Sequence, residues 1–365
     1  MSTNTRKRRR GGFLAVLSFA VLILLIIAVL FGLLLIFLTV TEYRPADRTS
    51  VDISGTPAGS LKSGDTFTVV TWNIGYGALG DNADFFMDGG RMVDTADRER
   101  VESNMETIIS GVRALDPDIL FIQETDVDSK RSHHIDEYSM IGDGLPGFSS
   151  SFANNFKVTF LPYPIPPIGK VDGGIATYSS FEASSAERIQ LPVPFKWPVR
   201  MMNLKRCVLV SRIPLEDSGK ELVLFNLHLE AYDSGEGKIA QTKMLAELLA
   251  QEAGRGNYVI AGGDFNQIFS SEDSGLYPAM PGMWTAGEID VSQIEGDWQF
   301  LMDETVPTCR SLDKPYLGAD RENFQYYLID GFIVSGNITV DTLETVDMGF
   351  TATDHNPVRL TATLG

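Results

Sequence analysis

Between Phe13 and Val40 the chain runs for 28 residues without a charged side chain. A backbone with so few polar neighbours must satisfy its own hydrogen bonds, and a helix of this length exceeds the roughly 20 residues that cross a bilayer. The run is also about twice the 7 to 15 residues of a signal-peptide core. No small-x-small site precedes "TEYRPADR" (Thr41–Arg48), so an uncleaved signal anchor is expected rather than a removed signal peptide. A buried core helix would leave the basic flank Arg6–Arg10 unexplained. With Lys and Arg on the N-terminal side, that end stays in the cytoplasm. The expected partition is a basic cytoplasmic N-terminus (1–12), a single-pass cell-membrane anchor (13–40), a Pro/Gly/Ser/Thr-rich linker (41–65) and an extracytoplasmic domain (66–365).

Once Arg6–Arg10 are assigned to the anchor, 25 Lys and Arg face 48 Asp and Glu, a formal charge of −23 on the remainder. Non-specific nucleic-acid binding normally rests on a positive footprint, so the average field opposes it while leaving a local patch open. Cys207 and Cys309 make no disulfide framework; they are either one pair in an oxidising compartment or two small buried side chains. No repeat and no second shift in composition divides the body, and nothing in it points to a protein partner.

Two stretches share a layout. "FTVVTWN" (Phe67–Asn73) is β-rich, Val101, Met105, Ile108, Ile109 and Val112 recur at helical spacing, and "DILFIQE" (Asp118–Glu124) is a short apolar run. "ELVLFNLH" (Glu221–His228), a helix face of Ala240, Met244, Leu245, Leu248 and Leu249, and "YVIAGGDFN" repeat the order. All four strands finish on residues able to bind metal or move protons: Asn73, Glu124, His228, and Asp264 with Asn266. Ligands in open α/β sheets collect beyond the carboxyl ends of strands. The glycines of "AGGDFN" are expected to permit a tight turn and a close substrate approach.

Two further clusters, "LIDGFIVS" with Asp330 and "TDHNPV" with Asp354 and His355, precede apolar strands. Together with "TWN", "QE", "NLH" and "GGDFN", in that order, they resemble the endonuclease/exonuclease/phosphatase superfamily, over roughly Phe67–Leu364. The resemblance implies an α/β fold: a four-layered α/β sandwich with two central mixed β-sheets and helices outside. It also implies divalent-metal phosphoester hydrolysis, usually with magnesium, and the hard oxygen donors suit magnesium or manganese better than zinc. By matching motifs, Glu124 is the principal metal ligand, with Asn73 beside it and Asp354 assisting the metal or the water. Asp264 orients or deprotonates the attacking water, and Asn266 contacts the scissile phosphate. His355 stands by that phosphate, oriented by Asp330, and His228 is the proton donor to the leaving oxygen.

The expected activity is an anchored phosphodiesterase acting on lipid head groups or small phosphoesters. A surface nuclease and a non-catalytic binding protein on the same fold are the alternatives; none of the eight positions is missing, which argues against the last. Singly, Asn73, Glu124, Asp330 and His228 also suit strand-end or core roles. His133 and His134 in "DSKRSHHIDEY" read as a solvated loop, and "LPYPIPPIGK" (Leu161–Lys170) as an extended Pro-rich loop able to form a lip or touch a membrane. Asn154, Asn155 and Lys157 are placed either at a substrate phosphate or on the surface, and Trp197 either in the core or on substrate.

Overall fold

A computed structural model describes residues 3–233 and 235–365, with side chains from residue 13 onward. The apolar run lies in helix α1 (Thr3–Val40), whose large side chains are mostly exposed. Beyond it the chain builds two mixed sheets. Strands β1 (Arg48–Val51), β2 (Thr66–Asn73), β3 (Ile119–Asp126), β4 (Ser149–Leu161), β5 (Gly169–Ser179) and β6 (Ser185–Gln190) come first. They are followed by β7 (Cys207–Pro214), β8 (Glu221–His228), β9 (Tyr258–Asp264), β10 (Trp298–Leu301), β11 (Asp330–Ser335), β12 (Ile338–Thr345) and β13 (Val358–Leu364). One sheet has the order β1-β6-β7-β8-β9-β11-β10 and the other β12-β13-β2-β3-β5-β4.

Each sheet is centred on one parallel pair, β2/β3 in one and β8/β9 in the other, and antiparallel strands flank both. A crossover helix joins each pair: α2 (Arg98–Leu115) and α4 (Glu236–Gly254). The strand-helix-strand units read from periodicity are therefore the two sheet centres. Helix α2 starts where the Asp97 carboxylate accepts from Arg100 N, and Asp116 ends it in the left-handed region. Its buried Val101, Met105, Ile108 and Val112 pack on Val70, Trp72, Leu120 and Ile122. Each such side chain contributes about 1.5–3 kcal/mol by leaving water. Leu245, Leu248 and Leu249 of α4 cover Val223, Phe225, Val259 and Ala261.

Alternate residues of the same strands and of β11, Phe67, Val69, Ile119, Phe121, Leu222, Leu224, Ile260 and Phe332, form a third core between the sheets. Four layers result, helix, sheet, sheet, helix. Because side chains alternate, Asn73, His228, Asp264 and Asp330 fall on the face of that inter-sheet core, at its end. Gln123 and Asn226 begin the polar seam there, joined by a 2.8 Å hydrogen bond across the two sheets.

The stretch read as a linker is partly built into the body. Strand β1 pairs antiparallel with β6, Ser54 bridges Ser150, and Leu61 is buried in the inter-sheet core. Edge pairing uses backbone groups, which need no hydrophobic periodicity, so composition does not reveal it. The Pro-rich stretch is the tip of the β4–β5 hairpin. Cys207 and Cys309 are both buried and free.

Candidate active site

The glycines before Asp264 serve packing more than turning. A Cβ on Gly262 would sit 2.5 Å from the Phe332 ring and 3.2 Å from Phe121, so the glycine makes room for both between the sheets. Gly263, at φ +149°, would place a Cβ 1.9 Å from the Leu227 carbonyl of the neighbouring strand. The expected turn and substrate approach are thus replaced by a demand of strand pairing. With both glycines in register, Asp264 lies directly opposite His228 on one side and Asp330 on the other.

Around Asp264 the polar groups converge. Its Oδ2 accepts from Asn73 Nδ2 at 3.0 Å and lies 3.3 Å from His228 Nε2 and 3.9 Å from His355 Nε2. Its Oδ1 accepts from the Asn266 backbone N–H at 2.8 Å. His355 Nδ1 is 2.8 Å from Asp330 Oδ2, a pairing that orients the imidazole, and the His355 carbonyl accepts from the Trp72 indole at 2.9 Å. Glu124 leaves the ladder at a register shift in β3, with φ +53°, and its Oε1 is 3.3 Å from Asn73 Nδ2. Asn266 has φ +51° and donates its amide to the Leu229 carbonyl. Non-glycine residues in this region are held there by their surroundings, and such strain gathers at functional sites.

All eight positions named from the sequence line this one end of the seam or touch residues that do. Asn73 is turned differently from expectation: its amide oxygen accepts from Gly75 N at 3.1 Å while its nitrogen bridges the Asp264 and Glu124 carboxylates. Asn154 and Lys157 bind Asp172 rather than the site, whereas buried Asn155 lines the cavity. His134 binds Asp128 at the surface and His133 lies 2.9 Å from the Ala96 carbonyl. Trp197 is 55% exposed.

Burial, seconded by the Asp330 charge, pushes the Asp264 carboxyl up to about 7. Burial also raises Glu124, with Arg131 opposing and Asp354 adding to the shift. For His355 burial opposes the charged form, but Asp330 and Cys309 hold it well above the usual histidine range. His228 falls well below that range through burial and the charges of Arg206 and His355. Their surroundings thus set the two rings apart, favouring the proton on His355 and disfavouring it on His228, the expected donor.

Clustered carboxylates whose burial favours the protonated form are a site short of positive charge. Glu124, Asp354 and Asp264 supply hard oxygen donors, and Asp330 Oδ1 and His228 Nδ1 have no partner. This donor set fits a hard divalent cation. Two groupings, Asp264-Asp330-His355 and Cys309-Asp354-His355, each hold ligand atoms within 4.8 Å of one another.

The site opens into a cavity of about 620 Å³. Its walls include Arg131, Arg206, Asp88 and Tyr232, none of them marked by the sequence. Arg131 sits in the supposedly solvated "DSKRSHH" loop, yet it packs on the Tyr76 ring at 3.7 Å and pairs with Asp126 at 2.9 Å. Its charge looked like ordinary loop polarity; only the buried tyrosine beneath it distinguishes it.

Residues 70–355 match the family model described as the endonuclease/exonuclease/phosphatase family. Among solved structures, an endonuclease/exonuclease/phosphatase from Beutenbergia cavernae is similar at 16% identity and a TM-score of 0.54, over 82% of this chain and 72% of that one. A mannosyl-6-phosphatase from Bacteroides thetaiotaomicron is similar at 19% identity and 0.52, over 82% of this chain and 100% of the other. The human Nocturnin catalytic domain with bound sulfate is similar at 16% and 0.50, over 86% and 97%. No curated protein matches the sequence.

Proposed function

The chain belongs to the endonuclease/exonuclease/phosphatase family, and we propose that it is a membrane-anchored, extracytoplasmic, magnesium- or manganese-dependent phosphodiesterase acting on lipid head-group or small phosphoesters. That it is a phosphoester hydrolase follows from the family. The structural relatives span phosphatases and nucleases, so the substrate must be argued from this chain's own residues.

The observation that carries the reading is the Asp264 carboxylate, held by Asn73 at 3.0 Å and facing His228 and His355, with His355 itself fixed by Asp330 at 2.8 Å. Asp264 orients a water and accepts its proton. The water oxygen bonds to phosphorus as the opposite phosphorus–oxygen ester bond breaks, and the released oxygen takes a proton from solvent, leaving a phosphomonoester and an alcohol. The His355 imidazolium faces the phosphoryl oxygens and stabilises their growing charge. Asn266 follows Asp264 closely enough to contact the same phosphate, and His228 is the group on the other side of Asp264. Glu124 and Asp354 would hold the metal, while Asn73, whose amide nitrogen lies between the Glu124 and Asp264 carboxylates, would keep those two acids in place. When bound, that ion neutralises phosphoryl charge and lowers the pKa of water. The −23 body supports a small or lipid phosphoester over a polyanion.

The test uses the full chain in mild detergent with magnesium, bis(p-nitrophenyl) phosphate and p-nitrophenyl phosphate, beside Asp264→Ala. Diester turnover lost in the variant supports the reading. Monoester turnover alone makes the protein a phosphatase, and nicking of plasmid DNA far above lipid cleavage makes it a nuclease. Turnover unchanged in Asp264→Ala refutes the site.

A further inference from the structure

The end of α1 is clasped to the body. Glu42, two residues beyond the helix, has its side chain 1% exposed and lies 2.8 Å from Arg44, 2.9 Å from Arg200 and 3.7 Å from Lys205. Just before it, the Thr39 hydroxyl is 3.0 Å from the Met201 sulfur and accepts from the Trp197 indole at 3.3 Å, while Leu38 is buried. Segment 195–206 is thus held against the last turn of α1. Whatever depth the end of the apolar run occupies, Trp197 and Val199 occupy it too.

That same segment walls the cavity through Phe195, Val199 and Met202. The tip of the β4–β5 hairpin contributes Tyr163 to the cavity, and beside it Ile165 is 94% exposed. Lys196 is exposed at this edge, and Arg44 and Arg200 beside it outnumber the single Glu42 carboxylate they share, so the surface here is locally positive on an acidic body. Aromatic and aliphatic side chains mixed with cations are the chemistry of a membrane interface.

We propose that the cavity mouth, rimmed by Trp197 and Val199 and by Tyr163 and Ile165, rests in the surface of the bilayer that holds α1, and draws a phospholipid from it. The acyl side of that lipid lies against the apolar wall of Phe85, Phe86, Ile168, Phe195 and Met202, and its phosphate reaches Asp264 and His355. The substrate part rests on the phosphodiesterase reading above, and the surface part on α1 as an anchor. A second observation points to the same ligand. Asn155 is 4% exposed, lines the cavity and has an amide nitrogen with no partner, a donor left for a head-group oxygen. A nucleic acid would instead need exposed cations along the wall, but Arg131 is paired with Asp126 at 2.9 Å, Arg206 faces Glu230 at 3.6 Å, and Arg310 is buried with its guanidinium on the Ser311 and Gly80 carbonyls.

The test places the full chain in lipid nanodiscs of phosphatidylcholine, phosphatidylglycerol and sphingomyelin, with magnesium. Brominated acyl chains are expected to quench tryptophan fluorescence, and Trp197→Phe to remove the share that comes from the rim; Trp72 is buried in the core, Trp298 lies outside the cavity lining, and Trp284, on the cavity wall, reports lipid drawn inside. The double variant Ile165→Asp with Trp197→Ser is expected to lose at least tenfold in phospholipid turnover while bis(p-nitrophenyl) phosphate turnover stays unchanged. Absence of Trp197-dependent quenching, or equal loss on both substrates, overturns the proposal. Diester hydrolysis without phospholipid turnover also overturns it but leaves the phosphodiesterase reading standing. Quenching without hydrolysis of either substrate sinks that reading and the lipid substrate with it, and upholds the membrane contact alone.

Discussion

Replacing Asp264 by Asn should change stability with opposite sign at acid and alkaline pH. Burial and Asp330 raise the Asp264 carboxyl from 3.8 to about 7 in the folded protein. Below 3.8 both states hold the proton, and ionisation does not affect folding. Between 3.8 and about 7 only the folded state holds it, so wild-type stability falls as pH rises. Above about 7 that loss is complete, and at about 1.4 kcal/mol per unit it amounts to about 4 kcal/mol. Asn escapes this loss. It gives up about 1 kcal/mol, however, because its single amide oxygen can replace only one of the two carboxyl oxygens that accept from Asn73 and Asn266. The variant should therefore be less stable by about 1 kcal/mol below pH 3.8 and more stable by about 3 kcal/mol at pH 8, with the difference shifting by about 1.4 kcal/mol per pH unit only between 3.8 and about 7. Urea unfolding of the full chain in mild detergent with a chelator, followed by tryptophan fluorescence, measures this. A difference that is the same at pH 5 and pH 8 would refute the reasoning.

His355→Ala should cost about 10²–10⁴ in diester turnover, and Asp330→Asn should cost less, because it loosens the imidazole without removing it; equal rates for wild type and His355→Ala would exclude that histidine from the chemistry. Glu124→Gln should raise the magnesium concentration for half-maximal rate by about tenfold or more, since a charged hard ligand is lost; an unchanged titration would place the metal elsewhere. Gly263→Ala should destabilise the fold by about 3 kcal/mol, because its Cβ would lie 1.9 Å from the Leu227 carbonyl; a chemical-denaturation midpoint equal to wild type would show that the strand accommodates it.

The sequence was most legible where a strand is buried on both faces. Strands β2, β3, β8 and β9 are such strands, and their apolar runs stop where the sandwich core stops, so the polar residues at their carboxyl ends mark the seam and the site. Strand β4 was not legible: Ser149, Ser151, Ala153 and Asn155 occupy its buried register, and small or polar residues there hide the alternation. Strand β1 was hidden because backbone pairing with β6 leaves no mark on composition. Arg131 and Asn155 gain meaning only from Tyr76 and the cavity, which are distant in the chain. The division of charge between His228 and His355 was likewise out of reach, because it depends on which ring faces Asp330.

Strand β2 lies between β3 and β13, and β13 follows every other strand in the chain. During synthesis β2 can pair with β3 early, but its other edge stays open until Val358–Leu364 has left the ribosome. Asp354 and His355 arrive only just before that strand. A growing chain that has not reached this strand therefore lacks two members of the candidate site and exposes the edge of its central strand to any neighbour able to pair with it. A change that removed this one strand, far less than a domain, would leave the edge of β2 open and Asp354 and His355 without the strand that follows them.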